Sequence, residues 1–212
     1  MSFKFQVVAA LLGATLVGTA AQAQENVVKF GITRYGTHSK TTGVVGIGVP
    51  PGADASTGDA TTVIGVYERL IRPNVGVELV LGVPPKITGT ATGSVAFLGE
   101  VLSARNVAPT VLFNYHFGEA ADAVRPYVGV GVNYTRFTSI KSKLAPQVQM
   151  SDSVGLAVQA GVDYWFNKQW GMFASIASLQ VKSDLVAAGS TVIQTTIDFR
   201  PIVYSAGLSF RY

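Results

Sequence analysis

The chain has no cysteine among its 212 residues. Disulfides, thiolate metal sites and lipid attachment through a cysteine are therefore excluded. Charge is also scarce: Asp, Glu, Lys and Arg make up 13% of the residues, about half the ~25% of an ordinary soluble domain. The net charge is +4, and no run of Lys or Arg exceeds two residues. That is too weak and too dispersed for nucleic-acid binding. Beyond the N-terminus there is no run of ~18 uncharged apolar residues, so no spanning helix is available. Mean hydropathy is nevertheless positive, and glycine is plentiful, at 23 residues without a collagen period. A greasy, glycine-rich chain without a spanning helix points to a transmembrane barrel. In lipid, only helices and closed barrels satisfy every backbone polar group.

The stretch Arg125 to Phe137, RPYVGVGVNYTRF, shows how such a barrel is written. Val128, Val130, Val132 and Tyr134 fall on one face; Gly129, Gly131, Asn133 and Thr135 fall on the other. A period of two is a strand, because successive side chains leave opposite faces of the pleat. The second face is small and polar rather than charged, which does not suit a solvated exterior. Lipid outside and a narrow lumen inside explain both faces. The soluble alternative, a β-sandwich or lipocalin-like barrel, would put charge on the outer face, and too little is present.

Residues 1–23 read as a secretory signal peptide, with Lys4 in the n-region, Val7 to Val17 as the apolar h-region and Ala21-Gln22-Ala23 as the cleavage site. Residues 24–212 then form the barrel. Eight strands are expected: 27–35, 62–71, 75–83, 105–117, 125–137, 153–166, 170–182 with a bulge near Ile176, and a last strand ending at Tyr212. The connections alternate long and short. The long ones, near 37–60, 84–102, 139–149 and 183–190, are expected as loops. Short periplasmic turns and longer outer loops are the asymmetry of an outer-membrane barrel. Aromatics gather at strand ends, among them Tyr115, Phe117, Tyr134, Phe166, Phe210 and Tyr212, as interfacial girdles require.

Five segments carry a family likeness: 74–84 (NVGVELVLGVP), 108–118 (APTVLFNYHFG), 125–137, 151–170 (SDSVGLAVQAGVDYWFNKQW) and 200–212 (RPIVYSAGLSFRY). In this order they resemble the OmpW family of small eight-stranded outer-membrane barrels, OmpW- and AlkL-like. Two features depart from the family: the final residue is Tyr212 where Phe is usual, and the loop before Ala108 lacks the histidines of relatives. The resemblance implies a passive route for small hydrophobic molecules across the outer membrane, with exit sideways through the wall. It also implies lipid as surroundings and the outer-membrane assembly machinery as reader of the C-terminal strand.

Eight strands leave a lumen that side chains nearly fill. Alternation assigns Ile64, Val66, Val80, Leu112 and Trp165 to that lumen, as an apolar slot or as plain packing. It also assigns Lys29, Glu68, Glu78, Asp163 and Arg211, read as a paired polar plug at the periplasmic end, because a buried charge is costly unless paired. The two histidines, His38 and His116, lack the serine and carboxylate pattern of a hydrolase triad. Two distant histidines without cysteine do not make a metal site. The expectation is therefore a monomeric, cofactor-free, non-enzymatic barrel in the outer membrane of a Gram-negative bacterium. A structural or adhesive surface barrel, whose loops bind host or phage surfaces, is the alternative.

Overall fold

A computed structural model describes residues 25–37, 39–41, 43–46, 48–145, 147–188 and 192–212. The expected leader and His38 lie outside the described residues. Eight strands form the barrel: β1 (Asn26–Gly36), β2 (Ala60–Arg72), β3 (Val75–Gly82), β4 (Thr110–His116), β5 (Val124–Ser142), β6 (Ser153–Trp165), β7 (Trp170–Leu179) and β8 (Ile202–Arg211). Each pairs antiparallel with the next, and β8 pairs with β1 from Val27↔Arg211 to Gly36↔Ile202, so the eight-stranded ring closes.

The alternation read from the sequence decides which side chains meet lipid. Phe30, Ile32, Phe113, Val130, Leu156 and Leu208 are all more than half exposed on the outer wall. Gly129, Asn133, Thr135 and Gln159 turn inward on β5 and β6. An outward apolar belt around a closed ladder is unstable in water and stable in hydrocarbon. Inward glycines make room for the few large lumen groups. A Cβ on Gly161 would sit 2.5 Å from the Tyr127 ring, and a Cβ on Gly76 would overlap the Glu68 carboxylate.

The structure corrects four expectations. The fourth strand begins at Thr110, not Arg105. Pro109 has no N–H to give the ladder, and Arg105 belongs to a separate strand, Glu100–Val107. No bulge occurs at Ile176: β7 keeps a continuous register against β6 and β8, with Phe173 inward and Ile176 outward. The third loop starts later than expected, because β5 runs to Ser142 through a register shift at Thr138/Lys141, where Ser139 has φ 51°. Finally, the long connections are themselves largely strand. Ala53–Thr57, Lys86–Gly93 and Glu100–Val107 extend one wall outward alongside β5. Gln147–Met150, Lys182–Ala188 and Val192–Asp198, with the short pairs Lys40–Thr41 and Val45–Gly46, form a second outer sheet. β5 alone has 19 residues, well beyond the roughly 9–11 that cross a bilayer.

Candidate functional site

The lumen is stacked in levels from the turn end to the loop end. At the turn end, Arg211 lies 3.9 Å over the Trp165 ring, 3.5 Å from Glu25, and donates to the Ala120 carbonyl at 3.2 Å. Arg125 donates to the Pro73 carbonyl at 2.8 Å. Both arginines thus tie the lumen to the short turns.

Above them is a charged knot centred on Lys29. Its Nζ is 3.0 Å from Asp163, 3.3 Å from Glu68 and 3.8 Å from Glu78. His116 Nε2 lies 2.7 Å from Glu68, and Nδ1 lies 3.8 Å from Asp163. Asn114 donates to Glu68 at 2.8 Å and to Glu78 at 3.1 Å. Gln159 donates to Glu78 at 2.9 Å and to Asn114 Oδ1 at 2.8 Å. The Tyr127 ring sits 4.7 Å from Lys29 Nζ. Every member of the knot is buried, and six strands supply it, so it crosses the lumen from wall to wall. Buried charges persist only when paired and hydrogen-bonded, and this knot provides both.

Lys29, Glu68, Glu78 and Asp163 are therefore brought together, while Arg211 sits one level lower with Glu25. Sequence reasoning missed His116, Asn114, Gln159 and Tyr127 as members. Asn114, His116 and Gln159 fall on the inward face by alternation, but lacking a fixed charge they carry no signal of their own. Glu68, His116 and Asp163 offer ligand atoms within 4.8 Å of one another. Lys29 Nζ already fills the cation position between the two carboxylates. The histidine has a carboxylate toward each ring nitrogen and, among the described residues, no hydroxyl hydrogen-bonded to it. A nucleophile of the triad kind is thus not in place.

Above the knot the lining turns apolar. Ile64, Val66 and Phe173 pack together, joined by Val80. Leu112 belongs to a larger cluster with Ala157, Leu179, Phe137, Phe199 and Leu185. Trp165 departs from the expected slot. It is buried at the turn end, two residues beyond Asp163, with the charged knot between it and Val80. Phe173, unnoticed in the sequence, takes the inward place; its ring reaches the space over Gly31.

Between the two outer sheets lies a cavity of about 260 Å³. Ile87, Leu102, Val148, Leu185, Ile193 and Ile197 are among its lining residues. This is near the lower end of the roughly 300–1,000 Å³ of small-molecule sites. A smaller void of about 30 Å³ lies where Phe137 and Phe199 meet Pro85, Asn106 and Ala108. The wall is interrupted beside it. The β3–β4 ladder ends at Val80↔Thr110, and pairing resumes only at Lys86↔Arg105. Pro84, Pro85 and Pro109 lie in this interval and offer no donor N–H; among the described residues, no ladder pairing spans it.

The comparisons with known proteins agree with this geometry. The OmpW family profile matches residues 22–212. Outer membrane protein W of Salmonella typhimurium is 31% identical over 216 residues, covering 97% of this chain and 98% of that protein. Outer membrane protein AlkL of Ectopseudomonas oleovorans is 28% identical over 168 residues, covering 78% and 72%. The crystal structure of OprG from Pseudomonas aeruginosa superposes with a TM-score of 0.80 at 23% identity, covering 91% of this chain and 98% of that one. With a closed barrel, a lipid-facing belt and a match over nearly its whole length, the chain belongs to the OmpW family, as a multi-pass β-barrel of the Gram-negative outer membrane.

Proposed function

We propose that this barrel gives small hydrophobic molecules a passive route from the cell surface into the outer membrane, without a cofactor and without chemistry. The observation that carries this reading is the apolar cavity seated over a buried charged knot centred on Lys29. An apolar solute gains by leaving water for the cavity between the outer sheets. It meets Lys29, Glu68, Glu78 and Asp163 below, where entry would break paired buried charges. Ions and polar solutes meet an apolar throat lined by Val80, Phe173 and Leu112 before they reach the knot. The unpaired interval at Pro84, Pro85 and Pro109 is the sideways exit into hydrocarbon. Ile64, Val66, Val80 and Leu112 line the inner end of the path. Trp165 and Arg211 instead help to close the turn end.

In this reading the barrel works as a monomer surrounded by lipid, the N-terminal 23 residues are removed on export, and the C-terminal strand with Phe210 and Tyr212 is the segment read by the assembly machinery. Uptake of a radiolabelled medium-chain hydrocarbon by cells with and without the protein tests the proposal, with a hydrophilic sugar as control. Deletion is expected to slow hydrocarbon entry and leave the sugar unchanged. Equal hydrocarbon uptake in both strains would favour a surface-binding role for the outer sheets.

A further inference from the structure

The outer wall just above the lipid belt carries a cluster of cations that the transport reading does not use. Lys86 pairs with Arg105, and Arg105 pairs with Thr138, across three adjacent strands. Cross-strand partners share a face, so these side chains stand together. Arg136 is two residues from Thr138 on the same face. Beyond the register shift, Lys141 pairs with Ser103, two residues from Arg105, and so joins the face as well. That face is the outer one: Phe137 and Ala104, one residue along, are buried inside, while Lys86, Arg105, Arg136 and Lys141 are all exposed.

Height singles out one kind of neighbour. Arg136 follows Tyr134 by two residues, roughly 7 Å along the strand. Tyr134 continues the row of Val128, Val130 and Val132, each more than 40% exposed to hydrocarbon. Arg136 therefore stands at the headgroup level of the outer leaflet rather than in its acyl region, with Arg105, Lys86 and Lys141 farther out along the strands.

Charge balance singles it out further. Elsewhere on this rim Arg34 lies 3.0 Å from Asp59, while Arg200 and Lys182 share Asp198 at 2.7 and 3.9 Å. In the cluster only Lys86 has an acid, Glu100 at 3.5 Å. Among the described residues, Arg136 and Lys141 have no acidic partner within ion-pair distance, and the side-chain hydrogen bond of Arg105 goes to the Pro84 carbonyl. Like charges side by side on a sheet face are destabilising unless an anion lies between them. Arginine forks match phosphate oxygens in a bidentate way. We infer that Lys86, Arg105, Arg136 and Lys141 form a binding site for the phosphorylated headgroup of an outer-leaflet glycolipid, whose acyl chains lie along Val107, Val132 and Tyr134. The lipid would flank the wall interval at Pro84 and Pro109, because Arg105 spans the two features.

The test uses the full mature barrel in phosphatidylcholine nanodiscs, titrated with bisphosphorylated lipid A or with the same lipid stripped of phosphate. Retained lipid is counted by native mass spectrometry. The wild type is expected to hold the phosphorylated lipid, more weakly as salt is raised. Two arginines near an anionic surface contribute about thirtyfold together, so R105Q/R136Q is expected to lose roughly that in apparent affinity. Lys168→Gln, at a periplasmic turn, is expected to change nothing. Heat-modifiable gel migration checks that each variant is folded. If the double variant does not fold, the comparison of the two lipids on wild type decides alone. The inference is overturned if wild type retains both lipids equally, or if the folded double variant retains the phosphorylated lipid as wild type does.

Discussion

Replacing Lys29 by methionine probes the charged knot more sharply than any other single change. The methionine keeps most of the aliphatic stem and removes only the ammonium. Three carboxylates then lose a cation at 3.0, 3.3 and 3.8 Å, and each is at most 3% exposed. Breaking one buried pair costs about 3–5 kcal/mol. Here a single cation serves three acids, so the loss should reach the upper part of that range. It does not triple, because a carboxyl that takes up a proton escapes part of the penalty. The contacts among Glu68, His116, Asn114 and Gln159 also remain. Glu78→Gln should cost less, about 1–3 kcal/mol, because Glu78 is the acid farthest from Lys29 and is held mainly by amide donors. The double variant K29M/E68Q should lose less than the sum of its single changes, since both act on one pair. Urea unfolding in lipid vesicles, followed through Trp165 and Trp170, measures all of these. A K29M loss below about 1 kcal/mol, against the 3–5 expected of a broken buried pair, would refute the view that the knot is closed by this lysine.

Three further outcomes are expected. Phe173→Ala removes the largest apolar filler of the throat; it should cost about 3–5 kcal/mol and raise ion conductance in planar bilayers, whereas an unchanged conductance would show that the knot alone seals the lumen. Ala187→Trp projects a large ring into the outer cavity from the strand Lys182–Ala188; hydrocarbon uptake should fall severalfold with no change in barrel stability. Pro109→Val supplies a backbone N–H beside the unpaired interval; it should slow hydrocarbon release into lipid while leaving ligand occupancy of the cavity intact, and unaltered release would move the exit elsewhere.

The parts of this structure that were legible in advance share one cause. Strands β1, β3, β5, β6 and β8 are wetted by lipid on one face and crowded on the other, so alternation alone assigns each side chain a side. Lys29, Glu68, Glu78 and Asp163 could be grouped because charge on an inward face must find charge. The outer sheets were not legible. Their Gly- and Thr-rich segments read locally as loop, and their partners are remote: Thr41 pairs with Ile197, and Asp54 pairs with Thr92. The cavity residues Leu185, Ala187, Ile193 and Ile197 alternate inward only because that sheet forms. Trp165 left its expected place, and Phe173 went unnoticed, for a simpler reason. Alternation gives the side of the wall and not the level along the axis, and Trp165 is the last residue of its strand, beyond Asp163.

Transport by this route requires an apolar solute to occupy the cavity between the outer sheets, above a closed charged knot. Photolabelling in lipid vesicles with a diazirine-bearing hydrocarbon, followed by peptide mapping, tests this directly. Label is expected on Leu185, Ile193, Ile197 or Val148, reduced by excess unlabelled hydrocarbon and by A187W. Label confined to the lipid-facing belt, on residues such as Phe30, Val130 and Leu156, with no competition, would contradict it.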